Sequence, residues 1–132
     1  MNQNTDFLPF ARPFIGAEEE EAVLKVMRSG WLTTGVETLA FEKEFAEFVG
    51  VKHALAVNSA SSGLLLALEA LKAGKNDTII TSPYTFTSTA ASAIHLGAEV
   101  EFCDTAAGSY NLDPAKLEKL LSSGKKYKAI MV

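Results

Sequence analysis

Ala54-Leu55-Ala56-Val57-Asn58-Ser59-Ala60-Ser61-Ser62-Gly63-Leu64-Leu65-Leu66-Ala67-Leu68 is the stretch that decides how this chain is read. A short apolar run of β-tolerant residues, His53–Val57, reads as a strand. A small polar turn follows. Leu64–Ala73 then has high helix propensity and is apolar on almost every side, which predicts a buried helix closed by Gly74. The same alternation continues downstream. Asp77–Thr81 predicts a strand around Thr78-Ile79-Ile80, and Thr85–Leu96 a helix ended by Gly97. Glu99–Cys103 alternates as a strand, and Pro114 opens a helix with Asp113 as its cap. Ala129–Val132 is a last strand. The order β-α-β-α-β-α-β with short connections predicts an α/β fold, a three-layer αβα arrangement with a mainly parallel sheet and right-handed crossovers.

Upstream, Met1–Ile15 has no clear period, and Pro9 and Pro13 break any helix, so an extended arm is expected. Glu18-Glu19-Glu20-Glu21 suits the positive end of a helix dipole, and Ala22, Val23, Val26 and Met27 form one stripe ahead of Gly30. Gly30–Gly35 is a loop. Val36–Val49 predicts a helix with Phe41, Phe45, Phe48 and Val49 on a face read as core packing, stopped by Gly50. A boundary near Thr34–Val36 separates residues 1–34, an arm with the first helix, from residues 35–132, the α/β unit. The final apolar run, Ala129-Ile130-Met131-Val132, reads as a strand cut short, because buried backbone needs ladder partners. The sequence therefore predicts a piece of a larger α/β domain, truncated at its C-terminal end.

Composition narrows the function classes. The chain has 132 residues, 48% of them hydrophobic, with a formal net charge of −4. An acidic surface repels a phosphate backbone, which argues against a nucleic-acid partner. A single cysteine, Cys103, forms no internal disulfide, no charged start is followed by a long apolar core, so a signal peptide is not expected, and Leu64–Leu68 is far short of a membrane span. A cytoplasmic protein with no membrane partner is expected. His53 and His95 lack metal-ligand spacing and read as satisfied or solvated, and Cys103 reads as a small buried hydrophobe.

Three places can carry chemistry. In Asn58–Gly63, small side chains let backbone approach a ligand, and the free N–H groups of a helix start suit a phosphate, with hydroxyls from Ser61 and Ser62. The alternative is that Ser59 or Ser61 simply caps the helix. No Gly-Lys-Ser/Thr follows and no Gly-x-Gly-x-x-Gly is present, which disfavours a nucleotide but not a smaller phosphate. Ser82–Thr89 follows the next strand on the same sheet edge, where Phe86 can stack on a planar ring or serve as a core residue. Asp104 closes the third strand, as a polar ligand or as a turn residue.

Taken in order, Gly30-Trp31-Leu32-Thr33-Thr34-Gly35, Phe41–Ala46, Gly50–Ala54, Asn58–Leu64, Ser82–Phe86 and Tyr110–Pro114 resemble the start of the DegT/DnrJ/EryC1/StrS family of sugar aminotransferases, from about Pro9 to the last residue. The resemblance implies a fold-type I enzyme dependent on pyridoxal 5′-phosphate (PLP), residues 35–132 being part of its PLP-binding large domain. It implies a homodimer that moves an amino group, from glutamate, to a keto sugar carried on a nucleotide, for polysaccharide or glycoconjugate synthesis. A sugar dehydratase, with histidine in place of the family's cofactor-bound lysine, is the variant reading. Ser61, Ser62 and Gly63 match the cofactor-phosphate positions and Phe86 the aromatic on the cofactor ring. Trp31, Leu32, Thr33 and Thr34 match a segment of the sugar-nucleotide pocket. None of the lysines stands in the family's cofactor-bound context, so no catalytic residue is assigned, and the alternative is a truncated, inactive fragment that at most binds phosphate-like anions.

Overall fold

The computed structural model describes residues 8–132; the part of the expected arm before Leu8 lies outside the described residues. Leu8–Ile15 form neither helix nor strand. The chain falls into two compact units, divided between Ala56 and Val57.

The first unit holds α1 (Ala17–Ser29) and α2 (Val36–Val49). Three glutamates occupy the first turn of α1, and the Glu19 carboxylate accepts the Gly16 N–H at 2.7 Å, supplying a free helix-start amide with an acceptor. Both helices stop at glycines in the left-handed region, Gly30 and Gly50, each with φ 73°. The aromatic stripe of α2 is not core. Phe41 and Phe45 lie 5.6 Å apart, centroid to centroid, yet both are about half exposed, Phe48 is 87% exposed, and Ala46 is the buried residue of the helix. Within the first unit no element packs over that face.

The second unit is an α/β unit: α3 (Ala60–Ala70), β1 (Thr78–Thr81), α4 (Thr87–His95), β2 (Glu99–Phe102), α5 (Pro114–Leu121) and β3 (Ala129–Met131). All pairing is parallel, in the order β2-β1-β3, with Ile79 opposite Val100 on one side and Ala129 on the other. β1 is therefore central and buried throughout, as its Thr-Ile-Ile-Thr sequence allows. Leu68 of α3, Ile79 of β1 and Ala93 of α4 meet with Ala98 in the core. The chain steps from β1 to β2 in one direction and from β2 back past β1 to β3 in the other. Right-handed crossovers then put α4 and α5 on opposite faces, and the fully buried Ile80, alternate to Ile79, needs such a second cover.

Three expectations are corrected. Residues 53–57 form no strand, so the sheet has three strands rather than four. The Ala56 N–H, which a ladder would use, donates instead to the Glu42 carboxylate at 2.8 Å. The helix expected from Leu64 begins at Ala60, because Ser59 caps it and draws the serine turn into the first helical turn. Nor is that helix buried all round: Leu68 alone is fully buried, since one stripe faces α4 and β1 while Leu66 and Leu71 stay open.

Candidate cofactor site

The winding reverses at β1, and in parallel α/β sheets the crevice at the carboxyl ends of the strands beside such a reversal is where ligands bind. α3 runs into β1 through a short connection, so its first turn lies at the carboxyl end of β1; α4 leaves from that same edge. The sheet thus brings Ser61 and Ser62, on the start of α3, to the edge where Phe86 begins α4.

At the start of α3, the Ser59 hydroxyl accepts the Ser62 N–H at 3.2 Å and lies 2.9 Å from the Ser62 hydroxyl, which donates to Asn58 Oδ1 at 2.8 Å. The Gly63 N–H donates to the Ser59 carbonyl at 3.1 Å. Among the described residues, the N–H groups of Ala60 and Ser61 and the Ser61 hydroxyl have no hydrogen-bond partner, and both residues are exposed. The arrangement is a capped helix start with two amides and one hydroxyl free, at the positive end of the dipole, which is suited to an anion. Capping by Ser59 and anion binding therefore use different groups and are compatible. A Cβ at Gly63 would stand 3.5 Å from Val57 Cγ2, in ordinary van der Waals contact.

Phe86 is the residue before α4, 78% exposed, which removes it from the core. Its loop is ordered locally: the Tyr84 N–H donates to Ser82 Oγ at 3.1 Å, and the Thr85 and Thr89 hydroxyls lie 2.9 Å apart. A cavity of about 490 Å³ opens between this loop, Tyr110–Leu112 and the end of β3. Asp104, at the end of β2, is a turn residue: its carboxylate accepts the Thr105 N–H at 2.8 Å and pairs with Lys116 at 3.0 Å, and the Lys116 hydrogen bond holds its pKa below the ordinary carboxylate value. Lys116 also reaches the Thr105 carbonyl at 3.1 Å, and the Asp104 hydrogen bond pushes its pKa up. Lys25 and Lys125 are raised in the same way by hydrogen bonds to Glu37 and Glu101. These three amines are held protonated, the opposite of what a nucleophilic lysine needs. Cys103 is buried, and desolvation raises its thiol pKa; His53 and His95 are exposed.

In the first unit, Trp31 folds back on its own loop. Its indole N–H donates to the Thr34 carbonyl at 2.9 Å, and the ring lies where a Cβ on Gly35 would stand. Trp31, Leu32 and Thr33 line a cavity of about 300 Å³ with Lys25, Ser29 and Thr38. Thr34 contributes its carbonyl to the loop closure.

Two features escaped the sequence reading. Asn58 holds the Ser62 hydroxyl, and an Asn before a Ser cap is the local signal that could have revealed it. Tyr84 stacks on Tyr110 with centroids 4.8 Å apart, a long-range pairing with no sequence signature.

The model of the DegT/DnrJ/EryC1/StrS aminotransferase family matches residues 13–132. The spore coat polysaccharide biosynthesis protein SpsC of Bacillus subtilis is 49% identical over 118 residues, covering 89% of this chain and 30% of its own length. Among solved structures, Helicobacter pylori PseC, an aminotransferase involved in the biosynthesis of pseudoaminic acid, superposes with a TM-score of 0.83 at 37% identity, over 92% of this chain and 33% of that one. Streptococcus pneumoniae Spr1654 in its PLP form gives 0.79 at 31% identity, over 85% of this chain and 29% of that one. This chain spans about 30% of the length of the curated relatives it matches.

Proposed function

The chain belongs to the DegT/DnrJ/EryC1/StrS aminotransferase family, and on that premise we propose that the protein acts in PLP-dependent transfer of an amino group, from glutamate, to a nucleotide-linked keto sugar in polysaccharide or glycoconjugate synthesis. Residues 35–132 form part of the cofactor-binding large domain, with residues 1–34 as arm and first helix. The observation that carries the reading is the sharing of one sheet edge by a helix start with unpartnered donors and by an exposed phenylalanine. PLP supplies an electron sink for breaking bonds at an amine carbon. Ser61 would donate its hydroxyl and amide to the cofactor phosphate, joined by the Ala60 amide, with Ser62, turned by Asn58, and Gly63 completing the turn around it. Phe86 covers one face of the ring and excludes water from it. Trp31, Leu32, Thr33 and Thr34 contribute to the sugar-nucleotide pocket, the indole offering a flat face and the threonines hydroxyls.

Lys25, Lys116 and Lys125 are held as cations by carboxylates, so none of these three is set up as the nucleophile. The chain alone does not transaminate and at most holds a phosphate-bearing ligand at the start of α3. The whole enzyme works as a cytoplasmic homodimer, a reading supported by exposed apolar residues such as Phe48. The test is to incubate the chain with PLP, reduce with borohydride and map pyridoxyl-lysine by mass spectrometry. No single lysine should be labelled. Stoichiometric labelling of one lysine, with amino transfer from glutamate to a keto sugar, would contradict this assignment of roles.

A further inference from the structure

Phe86 is 78% exposed, so its position depends on the backbone that carries it. The local hydrogen bonds of that loop, Tyr84 N–H to Ser82 and Thr85 to Thr89, stay within the loop and its own helix. The Tyr84 ring reaches further. It stacks on Tyr110, centroids 4.8 Å apart and planes 21° from parallel, from a segment beyond β2. That segment is internally tied. Thr105 and Leu112 form an antiparallel bridge, the Ala106 N–H donates to the Asn111 carbonyl at 3.0 Å, the Ser109 N–H to the Ala106 carbonyl at 3.0 Å, and the Asp113 N–H to the Asp104 carbonyl at 3.0 Å. The Asn111 N–H also donates to Ser109 Oγ at 3.1 Å. Tyr110 therefore projects from a turn with many internal bonds onto a loop with few.

We propose that Tyr110 is a positioning residue: stacked on Tyr84, it ties the Ser82–Phe86 loop to the bonded turn over residues 104–113 and so holds Phe86 ready for a planar ligand. The proposal rests on the reading above, in which Phe86 covers the cofactor ring. Order present before binding does not have to be created on binding, so removing it weakens the ligand without touching any group that contacts it. The phenolic oxygens take part in none of the bonds that hold the loop, so the effect belongs to the ring.

The experiment is solution NMR of the chain with labelled phenylalanine and tyrosine, in the unsubstituted protein and in Tyr110→Leu, Tyr110→Phe and Tyr84→Leu, each titrated with PLP. In Tyr110→Leu and Tyr84→Leu the Phe86 ring signals should broaden or move toward random-coil positions, and PLP should bind roughly two- to tenfold more weakly, the range of one aromatic pair. Tyr110→Phe should keep both properties. Unchanged Ile79 and Leu68 methyl signals show that the core is intact; if Tyr110→Leu loses them, Tyr84→Leu carries the test. Phe86 signals and affinity unchanged in the leucine variants, or Tyr110→Phe as damaging as Tyr110→Leu, would overturn the proposal. Absence of PLP binding by the unsubstituted chain would instead sink the cofactor reading, and the Phe86 signals of the leucine variants would still decide whether the stack holds the loop.

Discussion

Gly35→Ala puts a methyl group where the Trp31 indole lies. The backbone at Gly35 is extended, φ −154° and ψ −156°, which any residue adopts, so the conflict is one of space alone. A Cβ there would stand 2.6 Å from Trp31 Cδ1 and 2.9 Å from Nε1, about 1 Å inside normal carbon contact. The Thr33 carbonyl, at 3.6 Å, is not in the way, so the indole must swing out. It takes with it the 2.9 Å hydrogen bond to the Thr34 carbonyl. A neutral hydrogen bond contributes about 1 kcal/mol, and Trp31 is already 64% exposed, so water replaces much of it. Gly35 also precedes the first turn of α2, where alanine is a poorer cap than glycine by roughly 0.5 kcal/mol. The expected loss of unfolding free energy is about 1 kcal/mol. The spectroscopic change should be large, because Trp31 is the one tryptophan: its emission should move to the red and acrylamide should quench it more readily. Gly35→Ser separates the two causes. It restores a good cap but adds the same Cβ, so it should regain stability and keep the red shift. Unchanged emission and quenching in both variants would refute the placement of the indole against Gly35.

Leu68→Ala should destabilise the chain by about 2–5 kcal/mol in urea unfolding, since Leu68 is almost fully buried between α3, α4 and β1. Asp113→Ala should cost about 1 kcal/mol, because its carboxylate accepts the Ala115 and Lys116 amides at the start of α5; an unchanged urea midpoint would show that the cap contributes nothing. Asp104, with its pKa held below the ordinary 3.8, contributes stability that is present above that value and lost as the pH falls through the lowered one. The difference in thermal midpoint between the unsubstituted chain and Asp104→Asn should therefore be small but steady near neutrality and should close below about pH 4; a gap independent of pH would remove the Lys116 pairing as its cause.

Local chemistry made most of the fold legible. Glycines at residues 30 and 50 and the Asp113-Pro114 pair mark real helix ends, since each sets the backbone by itself. The Thr78-Ile79-Ile80 run is a central strand because both faces of it are apolar enough to bury. What failed depended on partners. Residues 53–57 look the same in sequence whether or not a ladder exists, and here the Ala56 amide finds Glu42 instead. The stripe of Phe41, Phe45 and Phe48 announces an apolar face but cannot say what covers it. At the candidate site, the serine turn and Phe86 were legible as residue types at a sheet edge. The split of duties, with Ser59 capping, Asn58 turning Ser62, and Ser61 left free, appears only once hydrogen bonds are placed. The Tyr84–Tyr110 stack joins residues from separate loops and left no periodic trace.

The central claim is that the first turn of α3 holds the phosphate of PLP. Phosphorus-31 NMR of PLP titrated with the chain tests it most directly, comparing the unsubstituted protein with Ser61→Glu, which sets a carboxylate among the free donors and repels the phosphate. The phosphate signal should shift or broaden with the unsubstituted chain and return toward the free-ligand signal with Ser61→Glu. A phosphate signal that responds identically to both proteins would contradict the claim.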